Sequence, residues 1–556
     1  MRVFGQLVFG QMPEGAFIPF DIINVKAETV NSSVILVEVK ANGGDLVVTQ
    51  GPFRAFGSFE TIGFNGKVTG GERKTFYWSD KDWTSRPEDS LPSTRFEGRL
   101  TTFSVERGLP IRPDGERRVV PAIGDLSIIN GDGTFDNIHN QLSVQAQPIT
   151  VRLLKHEWSS YNDSTLLVNG LGENWLATNE KLDIGFLSQA YMLETPLAAQ
   201  YAGTGGWEGG SENEGKSIPH IYGHCTGVSP ELIDPIKLIY HVHFREVKNI
   251  LAVYEGGSAR IKGINRGSLT QLQLINPTPG SWDWISTPTG TAFRLGSSPS
   301  MAITCDVEGD APGGVYVSTT AGIVQRLMLE RNAPVDQAAF SSIATRFPGV
   351  VGIAFTDETS VLDAISTLCQ GGEFYWGDLG NSLLAIGKLA PVSENAANVV
   401  GLGENFFLTD PETLTSPKAV WRVKVGYQRN WTVLSENDIL PAPTVPESRR
   451  KMLQESEMQV AVADTVRKRK HPNVEEVSIS SFYRDKNDAE ALAVSILARL
   501  KPDQGLWRVT VGLVGYGFKL GQQLRVDWTR HGLMNKTVRL VGHHYRGPEV
   551  DLLVMG

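Results

Sequence analysis

Cysteine is nearly missing from this chain: Cys225, Cys305 and Cys369 are the only three in 556 residues, and none stands in C-x-x-C spacing. One copy can therefore build neither a disulfide framework nor a four-cysteine metal or iron–sulfur site. Long apolar runs are missing as well, so no stretch reads as a transmembrane helix. A basic excess is also lacking. The formal net charge is -9, which argues against binding nucleic acid by neutralising phosphates, because that requires clustered lysine and arginine. The one basic cluster, Arg467, Lys468, Arg469, Lys470 and His471, follows a long polar segment and reads as a solvated loop. At the N-terminus, MRVFGQLVFG has one early arginine, and its apolar residues are interrupted by glycine and glutamine. It reads as a first strand of a protein made in the cytoplasm rather than as a signal peptide.

What is present is glycine and proline, 58 and 29 residues spread throughout, punctuating short runs that alternate apolar and polar side chains. Alternation with period two is the pattern of half-buried strands. Ile35, Val37 and Val39 form one such face. Trp421, Val423, Val425 and Tyr427 form another. Near the C-terminus follow Trp507, Val509, Val511 and Leu513, then Leu524, Val526 and Trp528, then Val538 and Leu540. Helices are few. The spacing predicts them over residues 318–332 with Ser318 or Thr319 as cap, 335–346, a third capped by Thr356 or Asp357 and stopped at Gly371-Gly372, and 486–500. Phe374-Tyr375-Trp376 and residues 383–386 flank a glycine-rich turn and predict a hairpin. A chain this long exceeds one hydrophobic core, and about three or four domains are expected. The fold class expected is mainly β with a minor α+β middle. It would be multi-domain, with two β-barrel-like domains and smaller mixed subdomains. The expected divisions are an N-terminal β-rich domain over 1–200, a second barrel-like region over 201–315, an α+β middle over 316–433, an extended proline-containing arm over 434–474, and a C-terminal barrel portion with one helix over 475–556.

Three segments imitate chemical motifs. Gly210, Gly215, Lys216 and Ser217 satisfy G-x-x-x-x-G-K-S, the loop whose amides cradle nucleotide phosphates. That loop needs a buried strand before it and a helix after it. Here a run of glycines precedes it, Pro219 and Gly223 follow, and Glu212 and Glu214 would repel phosphate, so the phosphate-binding reading is disfavoured. His220, His224, His241 and His243, with Cys225 among them, lie within 24 positions, and His241 and His243 share a strand face. A metal pair is one reading. Core or interface side chains of a strand pair, in a stretch with no carboxylate at matching spacing, are the preferred one. Residues 130–136, NGDGTFD, open like a calcium loop, yet Phe135 stands where glycine is needed and Gln141 where a bidentate glutamate belongs. A tight turn packed by Phe135 fits better. No catalytic, cofactor-binding or metal residues are assigned.

Several segments, in order, resemble the tail hub proteins of long-tailed bacteriophages and related gene-transfer particles. They are GDLSIINGDGTFD (124–136), YAGTGG (201–206) with GKSIPHIYG (215–223), LIYHVH (238–243), SVLDAI (360–365) with FYWG (374–377), QRNW (428–431), and VRLVG (538–542) onward to 556. The resemblance implies a non-enzymatic structural protein that forms a trimeric ring capping the tail tube, with two β-barrel domains per subunit. It implies contacts with a distal tail protein, the tail tube protein, the tape-measure protein and central fibre or spike proteins. DNA would pass through the bore without sequence-specific binding, and ejection would be gated at this tip. No cofactor and no membrane segment are implied, and the location is the virion, after assembly in the bacterial cytoplasm. Tryptophans exposed on a monomer are expected between subunits. The alternative is a tail-tip carbohydrate-binding or glycan-depolymerising protein, using paired carboxylates and tryptophan platforms.

Overall fold

The computed structural model describes residues 32–43, 72–111, 123–138, 142–380, 383–393, 399–441, 443–547 and 549–556. The strand expected over residues 1–10 and the Gln141 position lie outside them. The chain is mainly β and multi-domain, with several separate sheets. The largest has sixteen strands and is assembled from the two ends of the sequence. Leu100–Gly108 pairs antiparallel with Lys536–Arg546, from Gly108 opposite Gly542 to Ser104 opposite Arg546. Beyond that seam the N-terminal strands continue through Ile123–Ile129, Lys181–Ser188, Thr165–Ala177, Pro148–Leu154 and Val34–Gly43. On its other side lie Glu549–Met555 and Leu506–Val511. The period-two reading holds here. Val37 and Val39 are buried in the same core as Val509, Val511, Val538 and Leu540, so both ends of the chain share one interior. Val34–Gly43 is buried on its second face too, where Val34 and Leu36 meet Phe96 and Tyr161.

Residues 220–310, with the strand Gly352–Phe355 added at the edge of one sheet, form two five-stranded sheets around a second core. One contains His220–Val228, Val247–Glu255 and Ile303–Asp310. The other runs Glu231–Asp234, Ile239–His243, Gly290–Leu295, Ser281–Thr287 and, at its edge, Ile261–Asn265. That edge strand pairs parallel with Ser281–Thr287, a geometry that needs a crossover, and the short helix Leu269–Leu274 supplies it.

A third core holds the helices Thr320–Leu329, Gln337–Arg346, Val361–Gly371 and Lys486–Arg499 with the three-stranded sheet Met458–Ala463, Val420–Tyr427 and Glu475–Ser480. The helix caps are Thr319, Asp336 and, for the third, Ser360 rather than Thr356 or Asp357. Ser360 Oγ accepts from the Asp363 amide at 3.0 Å, fitting an N-cap. Residues 434–474, expected as an extended arm, carry the helix Glu447–Gln454, the strand Met458–Ala463 and the helix Thr465–Lys470. Val460 and Val462 lie against the helical core, which holds the strand in place despite the polar sequence around it.

The hairpin Phe374–Asp378 with Leu384–Lys388 joins two of these cores. Tyr375 and Ala385 face the large sheet, whereas Phe374, Trp376, Leu384 and Ile386 face the helices. Both faces are buried, which explains its continuous apolar sequence.

Candidate functional site

The phosphate-loop imitation folds as a closed surface loop. The Tyr201 amide donates to the Lys216 carbonyl (2.9 Å), and the Gly215 amide donates to the Tyr201 carbonyl (3.0 Å). Lys216 Nζ, which would reach a phosphate, donates to Glu231 Oε1 at 2.6 Å. Asn213, fully buried, donates to the same oxygen and to the Leu232 carbonyl. After Ser217 the chain enters the strand His220–Val228, so no helix N-terminus faces the loop. The loop instead lays Trp207 over Gly290 and against His241.

Beneath it lies the histidine group, and it is internally satisfied. His241 Nε2 donates to the His243 carbonyl (2.9 Å), which leaves Nδ1 to accept from the Tyr201 hydroxyl (2.7 Å). His243 Nδ1 accepts the Ile221 amide (2.9 Å), and its Nε2 donates to Asp310 Oδ1 (3.2 Å). Hydrogen bonds thus occupy both nitrogens of each ring, and neither ring offers a lone pair to a metal. Burial lowers the His241 pKa to about 3 and holds His243 and His220 below the ordinary value too. All three are neutral at pH 7. Among the described residues no group of three or more histidine, cysteine, aspartate or glutamate side chains is placed to hold a metal ion.

Asp310 is the centre of this region. Arg245 Nε (2.5 Å) and Nη2 (2.8 Å), Arg326 Nη1 (2.8 Å) and His243 all donate to its carboxylate. Burial opposes its ionisation, but the donors from His243 and Arg245 outweigh that and hold its pKa below the usual carboxylate range. Arg245 also pairs with Glu330, so the network fastens the two-sheet region to the end of the helix Thr320–Leu329.

The calcium-loop imitation is also satisfied by protein. Asn130 Oδ1 accepts the Phe135 amide (2.8 Å), Asp132 takes two donors from Arg99 (3.1 and 2.6 Å), and Phe135 packs edge-on against Trp78. The basic cluster forms a short helix rather than a loop. Arg467 Nη1 donates to the carbonyls of Leu497 (2.9 Å) and Leu500 (3.2 Å), closing the end of the helix Lys486–Arg499, and Lys468 sits 3.9 Å from the Trp421 ring centre.

The surface is more telling than the interior. Of twelve tryptophans only Trp158 is exposed, at 67%. The other eleven are buried or half-buried, so Trp158 is the tryptophan to which the expectation of burial between subunits applies. Among the described residues, six of the nineteen exposed large apolar side chains lie in the two-sheet region, all of them aliphatic. Every residue of the edge strand Ile261–Asn265 is exposed, Ile261 at 72% and Ile264 at 60%. Leu274, at the end of the crossover helix, is 77% exposed, and Ile236, in the turn after Glu231–Asp234, is 92% exposed. Lys262 Nζ donates to the Ile250 carbonyl (2.5 Å), tying this edge to the facing sheet beside the exposed Leu251. Among the described residues this strand has no second strand partner and its isoleucines face solvent, while Lys262 and a register shift between Lys262 and Asn265 interrupt it as a pairing edge.

No protein-family model and no curated protein sequence matches the chain. Among solved structures, it is similar to a tail protein from Neisseria meningitidis MC58, with 8% identity, coverage of 84% of this chain and 94% of that one, and a TM-score of 0.38. It is similar to the 43 kDa tail protein of prophage MuSo2 from Shewanella oneidensis (8% identity, 83% and 93% covered, TM-score 0.35). A chain from the virion of a native gene transfer agent particle aligns at 13% identity over 66% of this chain and 88% of that one, with a TM-score of 0.37.

Proposed function

We propose that the chain is a structural hub of a phage-type tail, a subunit of a trimeric ring that caps the tube, anchors fibre or spike proteins and gates DNA ejection. The reading rests on the ordered sequence resemblance. The observation that carries it furthest is the apolar edge Ile261–Asn265 with Ile236 and Leu274 around it, a surface built for another chain rather than for a small substrate. The polar clusters suggested by the sequence are consumed by internal hydrogen bonds, which suits a scaffold. The glycan-cleaving alternative calls for aromatic platforms, and one exposed tryptophan does not make one.

Light scattering with negative-stain imaging of the full chain tests this. A three-fold ring with a central bore, formed alone or with a tube-side partner, is the expected result. The double variant Ile261→Lys/Ile264→Lys should abolish it while leaving the monomer's stability within about 0.5 kcal/mol of wild type, as exposed substitutions do. A monomer that neither self-associates nor binds tail proteins would sink the proposal.

A further inference from the structure

Where the helix Gln337–Arg346, the hairpin ending at Lys388 and the loop 519–523 meet, they enclose a cleft of about 580 Å³. Its lining includes Arg346, Lys388, Lys519 and Arg539, and no aspartate or glutamate among the described residues. In a chain of net charge -9 this is a local reversal of sign. Arg539 forms the floor and is only 7% exposed. Its Nη1 donates to the Gly521 carbonyl (2.7 Å) and its Nη2 to the Pro391 carbonyl (3.4 Å), while Nε, also buried, has no partner. A buried guanidinium held only by neutral carbonyls lacks its counter-charge. Burial lowers its pKa, with Tyr375 acting against that and the nearby Arg499 and Arg346 adding to it.

Lys388 closes one side. Its ammonium lies 4.5 Å from the Phe347 ring centre and 4.6 Å from that of Phe374, and it donates to the Tyr483 hydroxyl at 3.1 Å. Glu373 and Asp488 act on it from a distance, but no ion pair among the described residues includes it, Arg346, Lys519 or Arg539. Arg346 and Lys519 stand exposed at the rim, free to close on a ligand.

We propose that this cleft is a binding site for a small, multiply charged oxyanion, which would supply the missing counter-charge to Arg539 and be gripped at the rim by Arg346 and Lys519. The volume suits a ligand of that size. Because the three walls come from the helical core, the hairpin and the large sheet, a bound anion would clamp these parts together.

Calorimetric titration of the full chain at constant ionic strength, with pyrophosphate in one arm, citrate in another and chloride as the reference, tests this. Saturable binding of one anion per chain is expected. Preference for pyrophosphate would identify a phosphate ligand, preference for citrate a carboxylate one, and either supports the site. The rim variant Arg346→Ala/Lys519→Ala should weaken binding by about tenfold or more, the scale of a lost charge-assisted hydrogen bond. It leaves the buried floor intact, and Arg539→Gln, with folding checked by circular dichroism, should remove binding. Absence of saturable heat above chloride in both arms, or an affinity unchanged in the rim variant, would overturn the proposal.

Discussion

The two-sheet region and the sixteen-stranded sheet are both β structures, and each holds a buried charged site that is paired to a different extent. In the first, Asp310 gathers donors from Arg245, Arg326 and His243, and the histidine nitrogens are paired. In the second, Arg107 is buried in the core with Nη2 donating to Asp378 (2.8 Å) and to the Leu167 carbonyl (3.0 Å), while Nε and Nη1 have no partner. Its guanidinium lies over the Tyr545 ring, near His543, whose Nε2 is likewise unpartnered. The paired network joins elements that follow one another in sequence, 220 to 330. The underpaired arginine sits at the seam where residue 107 meets strands more than 400 positions later. Buried charges stabilise a fold only when their remaining hydrogen-bonding groups are also met, so the two sites should respond differently to substitution.

The largest effect is expected at Asp310. Asp310→Ala removes the carboxylate shared by Arg245, Arg326 and His243, leaving Arg245 only Glu330, and should cost about 5 kcal/mol, the upper range for breaking a buried ion pair. Denaturant unfolding would measure it, with hydrogen exchange locating the loss between residues 220 and 330. Arg107→Met should cost less, about 3 kcal/mol, because Asp378 loses one of its partners but keeps the Gly380 amide, and two unpaired N–H groups are removed. Adding Asp378→Asn to Arg107→Met should recover part of that loss. A double variant worse than the sum of its parts would show that the seam depends on its ion pair as strongly as the two-sheet region does.

Acid should act on both regions more mildly. Burial brings His241 in the first and His543 in the second to a pKa of about 3. The unfolded chain binds the proton more readily, near pH 6.5. Their contribution is therefore full above about pH 7 and declines as pH falls through the unfolded value toward 3. At pH 5 each histidine should cost about 2 kcal/mol. A His543→Phe variant should lose part of the pH dependence in the large sheet and leave that of the two-sheet region unchanged, as followed by hydrogen exchange between pH 7 and 5.

Much of the local structure is legible in the sequence because it obeys short-range rules. The alternation of Val509, Val511, Val538 and Leu540 marks their strands, and Thr319 marks a helix start. The refusal of the phosphate-loop motif follows from the glycines and Pro219 around it. The third helix cap was misplaced because Thr356 and Asp357 have capping side chains too, and only backbone geometry selects Ser360. The strand Met458–Ala463 is hard to see in a polar stretch, since it stays largely exposed and is held by pairing with Val420–Tyr427 and by half-buried Val460 and Val462 against the helical core.

By itself the sequence determined the β-rich class, the positions of four helices and of the most regularly alternating strands, the cysteine scarcity and the acidic balance, because each depends on composition or on neighbours a few positions apart. Tertiary structure alone decided that both ends of the chain share one sheet, that Lys216 meets Glu231, that the exposed apolar edge is aliphatic, and that four cations from distant segments line one cleft. Those outcomes rest on pairings across tens to hundreds of residues, where register and burial, not local preference, choose the partner.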